Sequence, residues 1–199
     1  GISFEAAAKL VSLGAVFVYR EGSGWERAWR QGSIAAGTKL RAYTQPRRFP
    51  ACQVDWSKRV LHLDGMFVVV NKPADLPCQA VESNGRETAP ACAERALGVG
   101  HLRLAHRIDS CAEGALVLAR STAALSEFTR MMSRHESMLK LYRAVVTGPV
   151  QRGLHIHFIS EGDPRGPRLV RRNKMKGWKN CSLQVLSCEL LDAVPQEKP

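Results

Sequence analysis

The sequence predicts an α+β fold, a mixed and mostly antiparallel sheet with flanking helices, and three observations carry that reading. Two strand-like runs at 60–63 and 66–70 flank Asp64-Gly65, a strong hairpin turn signal. Ser121 then stands in the N-cap position of a helix reaching to about residue 139, with Leu125, Phe128, Met131 and Met132 as its apolar stripe. Strand-like runs resume after that helix, at 142–147, 154–159 and 182–191. A hairpin, one capped helix and strands again segregate α from β instead of alternating them.

The elements follow in order. Ser3 caps a helix over 3–13, with Ala6, Leu10 and Leu13 near one face, and Gly14 ends it. A strand at 15–19, a flexible connection at 21–24 and a strand at 39–43 come next. Residues 44–50 carry two prolines and Arg47-Arg48 and read as a linker. The expected division is therefore a small module at 1–57 and a larger domain at 58–199. Lys72-Pro73 stops the second hairpin strand, and 87–97 reads as a helix. A short strand at 102–105 leads to an apolar run at 114–120, bounded by Gly114 and Arg120, that reads as a buried strand.

Composition narrows the function. The chain has 199 residues, 45% hydrophobic, enough for a proper core in one or two domains. Lys and Arg number 29 against 18 Asp and Glu, a net +11, which favours nucleic acid over an anionic membrane surface. Residues 1–57 hold eight basic and four acidic residues, a net +4 that suits RNA backbone contact. The stretch 164–180 has seven cations, Arg165, Arg168, Arg171, Arg172, Lys174, Lys176 and Lys179, no carboxylate, and Trp178. Its glycines and prolines argue for an irregular basic arm that meets phosphates and stacks on a base.

No apolar run approaches the roughly 20 residues that cross a bilayer, no secretory signal is present, and no membrane partner is expected. The chain opens on Gly1, as a processed or partial chain would. Its six cysteines form no CxxC. His155 and His157 share a strand face without an evident third ligand, so no metal or other cofactor is expected. Scattered cysteines read as free thiols in a reducing intracellular compartment.

The most informative stretch is His106-Arg107-Ile108-Asp109, set directly before the apolar run. A carboxylate in such a turn is held on rigid structure at a surface edge, where a catalytic group is useful. Spacing alone fits an Arg107–Asp109 ion pair in an ordinary loop better, because such surface pairs are common.

Three blocks in order resemble the RluA-type RNA pseudouridine synthases. His106-Arg107-Ile108-Asp109, followed by Gly114 and aliphatics, is similar to the family's His-Arg-Leu-Asp motif. Phe67 through Asn71-Lys72-Pro73-Ala74-Asp75-Leu76-Pro77 is similar to its strand and Asn-Lys-Pro-Ala-Gly-Leu-Pro. Lys140-Leu141-Tyr142-Arg143-Ala144-Val145-Val146-Thr147-Gly148 is similar to its Lys-x-Tyr-x-Ala-x-Val-x-Gly strand. The resemblance covers roughly residues 58–190. The helix and strands before it look like the later part of the small αL RNA-binding module.

The resemblance implies isomerisation of uridine to pseudouridine in structured RNA, rRNA or tRNA, with the ribosome or its precursors as a possible setting. Such chemistry needs one ionised carboxylate and no cofactor, and an ordinary aspartate supplies it. It makes Asp109 the catalytic carboxylate, Tyr142 the stacking and proton-handling group, and Arg107 the side chain that fills the space of an extruded uridine. His106 and Lys72 fall among the RNA-contacting residues, His106 also orienting the loop and Asn71 and Lys72 also shaping the neighbouring structure. A mitochondrion or chloroplast is the implied compartment.

Three departures stand out. The family's Thr-Ser before Gly114 is Ala112-Glu113, its Gly is Asp75, and the chain stops at Pro199 before the family's Gly-Arg-x-His-Gln-Ile-Arg motif. They leave a second reading: a synthase-like RNA-binding protein without turnover, a ribosomal or ribosome-assembly component.

Overall fold

The computed structural model describes residues 2–134, 138–160 and 168–190. The chain forms two compact units, Gly1–Leu139 and Lys140–Pro199. The expected boundary after residue 57 falls inside the first of them, in a short 3-10 helix at Trp56–Arg59.

The first unit opens with α1, Phe4–Leu13. Ser3 Oγ accepts the Ala6 N–H at 3.2 Å, which satisfies one of the free donors of the first turn. Gly14 stops the helix in the left-handed region, φ 68°, where a side chain would be strained. Three antiparallel strands follow, β1 Val16–Arg20, β2 Gly24–Arg27 and β3 Leu40–Ala42, in the order β2-β1-β3. β2 is an addition to the sequence reading, which saw only a connection at 21–24. Those glycines make the tight turn that folds Trp25-Glu26-Arg27 back on β1.

A second, four-stranded sheet holds β4 Val60–Leu63, β5 Phe67–Lys72, β6 Arg103–Leu104 and β7 Gly114–Ala119, ordered β4-β5-β7-β6. Every pairing in it is antiparallel. The Asp64-Gly65 hairpin is present, and Asp64 Oδ1 accepts the Met66 and Phe67 N–H groups at 2.7 and 2.6 Å. His62 and those two amides hold the Asp64 carboxyl down at about 2. Along β5, Val68, Val70 and Lys72 point inward, the period of two that a half-covered strand requires. Val68 and Val70 join Leu116 and Leu118 of β7 with Leu76, Leu102, Phe49 and Trp56 in one core.

α2, Ala89–Leu97, is capped by Thr88, and α3, Thr122–Ser133, by Ser121. α3 buries Ala124 and Phe128, four apart and so on one face. It ends at Ser133 rather than near 139, and Met131, expected in the stripe, is exposed. Phe128 meets Phe67 edge-on at 6.1 Å, which seats the helix on the sheet.

The stretch read as a linker is packed. Phe49 is only 3% exposed, and the chain beside it is tied to the turn at 81–87. Glu87 Oε1 accepts Arg48 Nε and Nη2 at 2.9 and 2.6 Å, while Oε2 accepts Phe49 N and Asn84 Nδ2, each at 2.8 Å. The same turn grips the small sheet and the end of α1. Arg27 donates to the Val81 and Glu82 carbonyls, Tyr43 to Glu82 at 2.5 Å, and Gly85 N to Leu13 O at 2.8 Å.

Burial alone would push the Glu87 carboxyl up, but hydrogen bonds from Arg48, Phe49 and Asn84 outweigh it and the net shift is downward. A depressed folded-state value means stability present above the ordinary 4.5 and lost as pH falls through the lower folded value. Glu87→Gln should therefore cost about 2–3 kcal/mol near neutral pH. It should also flatten the acid limb of a urea-unfolding series, which checks both points.

The second unit holds β8 Gly153–Ile159, β9 Val170–Arg171 and β10 Lys179–Val185, antiparallel in the order β10-β8-β9. Part of the basic arm is thus a strand: Val170 and Arg171 pair with Ile159 and Phe158 at the end of β8. β10 begins earlier than expected and ends at Val185. The expected strand at 142–147 is absent: these residues are exposed and pair with no strand among the described residues. A strand needs a ladder partner, and local β propensity alone does not supply one.

Candidate active site

Asp109 sits in the loop between β6 and β7, exposed. The local sequence explains why the loop is fixed. Ala112 N donates to Asp109 O at 3.2 Å, closing a turn. Gly114 then starts β7 at φ 141°, a conformation that favours glycine, opposite Lys72 in register.

Neighbouring side chains clamp each loop residue in turn. The His106 ring accepts the Val117 N–H through Nε2 at 3.1 Å and stacks on Phe128 at 5.7 Å. Cys78 Sγ donates to Ile108 O at 3.3 Å. Lys72 Nζ donates to Ser110 O at 3.1 Å, and to Pro73 O and Leu76 O at 2.8 Å each. Backbone carbonyls on both sides of Asp109 are therefore held from the core.

Lys72, expected among the RNA-contacting residues, needs correction. It is fully buried, 0% exposed, and its ammonium is spent on three carbonyls, so no phosphate can reach it. Burial pushes its pKa down from the ordinary lysine value. His106 turns inward as well, onto β7 and α3.

The ion pair that spacing allowed is not formed. Arg107 is exposed and donates to Gln79 Oε1 at 2.9 Å, and no ion pair joins it to Asp109 among the described residues. Glu113, the carboxylate where the resembled family has Ser, is engaged by Arg59 Nη1 at 3.1 Å and Asn71 Nδ2 at 3.2 Å. Asp75 keeps the left-handed backbone that a glycine would give, φ 57°, which short polar side chains tolerate best.

Cys78, Gln79 and Arg59 went unnoticed in the sequence. The first two lie directly after the Asn71-Lys72-Pro73 block, which was a usable signal; Arg59, twelve residues before Asn71, carries none.

Tyr142 lies in the second unit, outside any strand and 70% exposed. Arg168, Arg171, Arg172, Lys174, Lys176 and Lys179 are all exposed there, and Arg171 lies over the Trp178 ring at 5.8 Å. Arg165 falls outside the described residues. Among the described residues, no helix is long and apolar enough to cross a membrane.

Comparison with known proteins bears directly on this loop. The family model for RNA pseudouridylate synthase matches residues 66–196, which include the Asn-Lys-Pro block, the Asp109 loop and Tyr142. RNA pseudouridine synthase 6, chloroplastic, of Oryza sativa subsp. japonica is 36% identical over 158 residues, 78% of this chain and 33% of that protein. Its Arabidopsis thaliana namesake is 34% identical over 168 residues, 82% of this chain and 35% of that protein. A mitochondrial pseudouridylate synthase of Xenopus tropicalis is 35% identical over 95 residues, 45% of this chain and 29% of that protein.

The chain thus spans about a third of the length of these curated relatives. Among solved structures, human RNA Pseudouridylate Synthase Domain Containing 4 aligns at TM-score 0.42 and 18% identity, over 65% of this chain and 53% of that one. The three curated relatives carry pseudouridine or pseudouridylate synthase names. On the family match and its span, the chain belongs to the RNA pseudouridylate synthases.

Proposed function

We propose that the protein is an RNA pseudouridine synthase whose catalytic carboxylate is Asp109. The observation that carries this is the exposed aspartate on a loop clamped from within by His106, Cys78 and Lys72. A group that must meet the sugar or base of an extruded nucleotide needs this combination of access and rigidity.

In the reaction the N1–C1′ bond of uridine breaks, the uracil turns, and a C5–C1′ bond forms. The proton on C5 leaves and N1 ends protonated, so no oxidant or cofactor is consumed. Asp109 serves either at the sugar carbon or at the C5 proton. Arg107 fills the vacated stack, and Tyr142 lies against the uracil face.

The substrate is structured RNA, rRNA or tRNA, in a chloroplast or mitochondrion, with ribosomal precursors as its setting. Residues 1–57 act as an RNA-binding module ahead of the catalytic domain at 58–199. The cations Arg165, Arg168, Arg171, Arg172, Lys174, Lys176 and Lys179 meet phosphates. Comparing pseudouridine maps of RNA exposed to wild type and to Asp109→Asn tests the assignment, and modification surviving in the variant refutes it. If six or more phosphates are neutralised, affinity should fall by about 10³ between 50 and 200 mM salt, read by filter binding. A flat salt dependence would count against the basic arm.

A further inference from the structure

The small sheet has two unlike faces. Tyr19 pairs in register with Trp25, and Phe17 with Arg27 and Arg41, so these residues share one face with Lys39, whose carbonyl bonds Tyr19 N. Val18 and Glu26 share the other. There Val18 lines a cleft with Ala7, Ala8 and Val11 of α1, and Glu26 pairs with Arg20 at 2.8 Å.

The first face divides again along its length. At one end Arg27 donates to carbonyls of the 81–87 turn and Phe17 lies edge-on to Tyr43 at 6.2 Å, so that end is packed. At the other end Tyr19 and Trp25 are 41% and 37% exposed, with rings 5.4 Å apart and 70° inclined. Arg41 lies over Trp25 at 4.5 Å and Lys39 over Tyr19 at 5.7 Å. The strand residues of this face include no carboxylate.

Rings and cations so interleaved suit a strand whose bases are unpaired. Each ring offers a base a π surface, and the flanking cations sit where the connecting phosphates run. A duplex buries its base faces in its own stack and offers only phosphates. A protein partner would call for acidic side chains without needing flat ones.

We infer that the exposed end of this face, Tyr19 and Trp25 with Lys39 and Arg41, is a stacking platform for unpaired nucleotides of an RNA strand. It lies on a different sheet from the Asp109 loop. The inference deepens the reading of the chain as an RNA-modifying enzyme by naming which part of its RNA it holds there.

The test uses the full chain and a probe without uridine, a twelve-nucleotide oligocytidylate, so its outcome does not depend on isomerisation. Trp25→Ala and Tyr19→Ala should each weaken binding at least about fivefold at fixed salt, while Trp25→Phe keeps most of it. Lys39→Gln and Arg41→Gln should each lower the log–log salt slope by about one. A duplex RNA of equal charge should be insensitive to Trp25→Ala.

Wild-type and Trp25→Ala proteins binding oligocytidylate equally would overturn the platform, as would no binding by the wild type. Should Trp25→Ala lose its fold by circular dichroism, ultraviolet crosslinking of the wild type decides. Adducts on the peptide containing Tyr19 and Trp25 support the platform; adducts confined elsewhere remove it. Pseudouridine formation failing while these results hold would strike only the enzymatic reading.

Discussion

Asp109→Asn should reduce pseudouridine formation by at least about a hundredfold, the lower end of what a positioned base supplies. It should abolish it outright if the carboxylate bonds to the sugar. Asparagine keeps the size and removes only the ionised oxygen. Asp109 is exposed, and the clamps on its loop go to the backbone of its neighbours, so packing changes little. RNA affinity and the melting temperature should therefore hold while turnover collapses. Site-resolved pseudouridine mapping beside filter binding reads both. Tyr142→Phe keeps the ring and loses the hydroxyl. It should be mild where stacking is the need and severe where the phenol moves a proton.

Lys72→Met should cost about 3 kcal/mol of stability and loosen the Asp109 loop. The three carbonyls that Lys72 serves would stay buried without their donor, and each such loss is worth about 1–3 kcal/mol. Removing a buried charge returns part of this. The pH dependence gives a second signature. Burial lowers the folded-state pKa below the ordinary 10.5, so in the interval between them the unfolded chain binds more protons. Wild-type stability relative to Lys72→Met should then rise with pH across that interval. Urea titrations of both proteins from neutral to alkaline pH check the sign. A variant as stable as wild type, and as active, would remove Lys72 from the loop's support.

The sequence shows some of this architecture plainly and hides the rest for physical reasons. The Ser3, Ser121 and Asp64 positions are local signals, since a cap or a turn is set by a few adjacent residues, and all three lie where the spacing put them. Lys72 reads in the sequence both as an RNA contact and as a residue shaping the neighbouring structure, and only the second reading survives its burial. Only the fold shows three carbonyls converging on it. The linker was misjudged likewise: Pro46 and Pro50 mark irregular backbone, which says nothing about whether Phe49 is buried. β2 escaped because four residues after a glycine turn carry too little periodicity. The 142–147 run has strand composition without a partner strand among the described residues, and pairing is never written in one segment alone. The Asp109 loop was legible because its motif is contiguous; Arg59, which answers Glu113, was not.

The turn at 81–87 holds the small sheet through Arg27 and Tyr43, the end of α1 through Gly85, and the 47–49 stretch that seats Phe49 in the core through Glu87 and Asn84. Elements tied to one turn open as a cooperative unit, since the small sheet cannot leave the turn without disturbing the segment that seats Phe49 in the core. If the inferred platform holds RNA on Tyr19 and Trp25, that binding would add RT ln(1 + [L]/Kd) to the resistance of the first unit, the Asp109 loop included. At a hundred times Kd that would be about 2.7 kcal/mol reaching the Asp109 loop from contacts made on the other sheet.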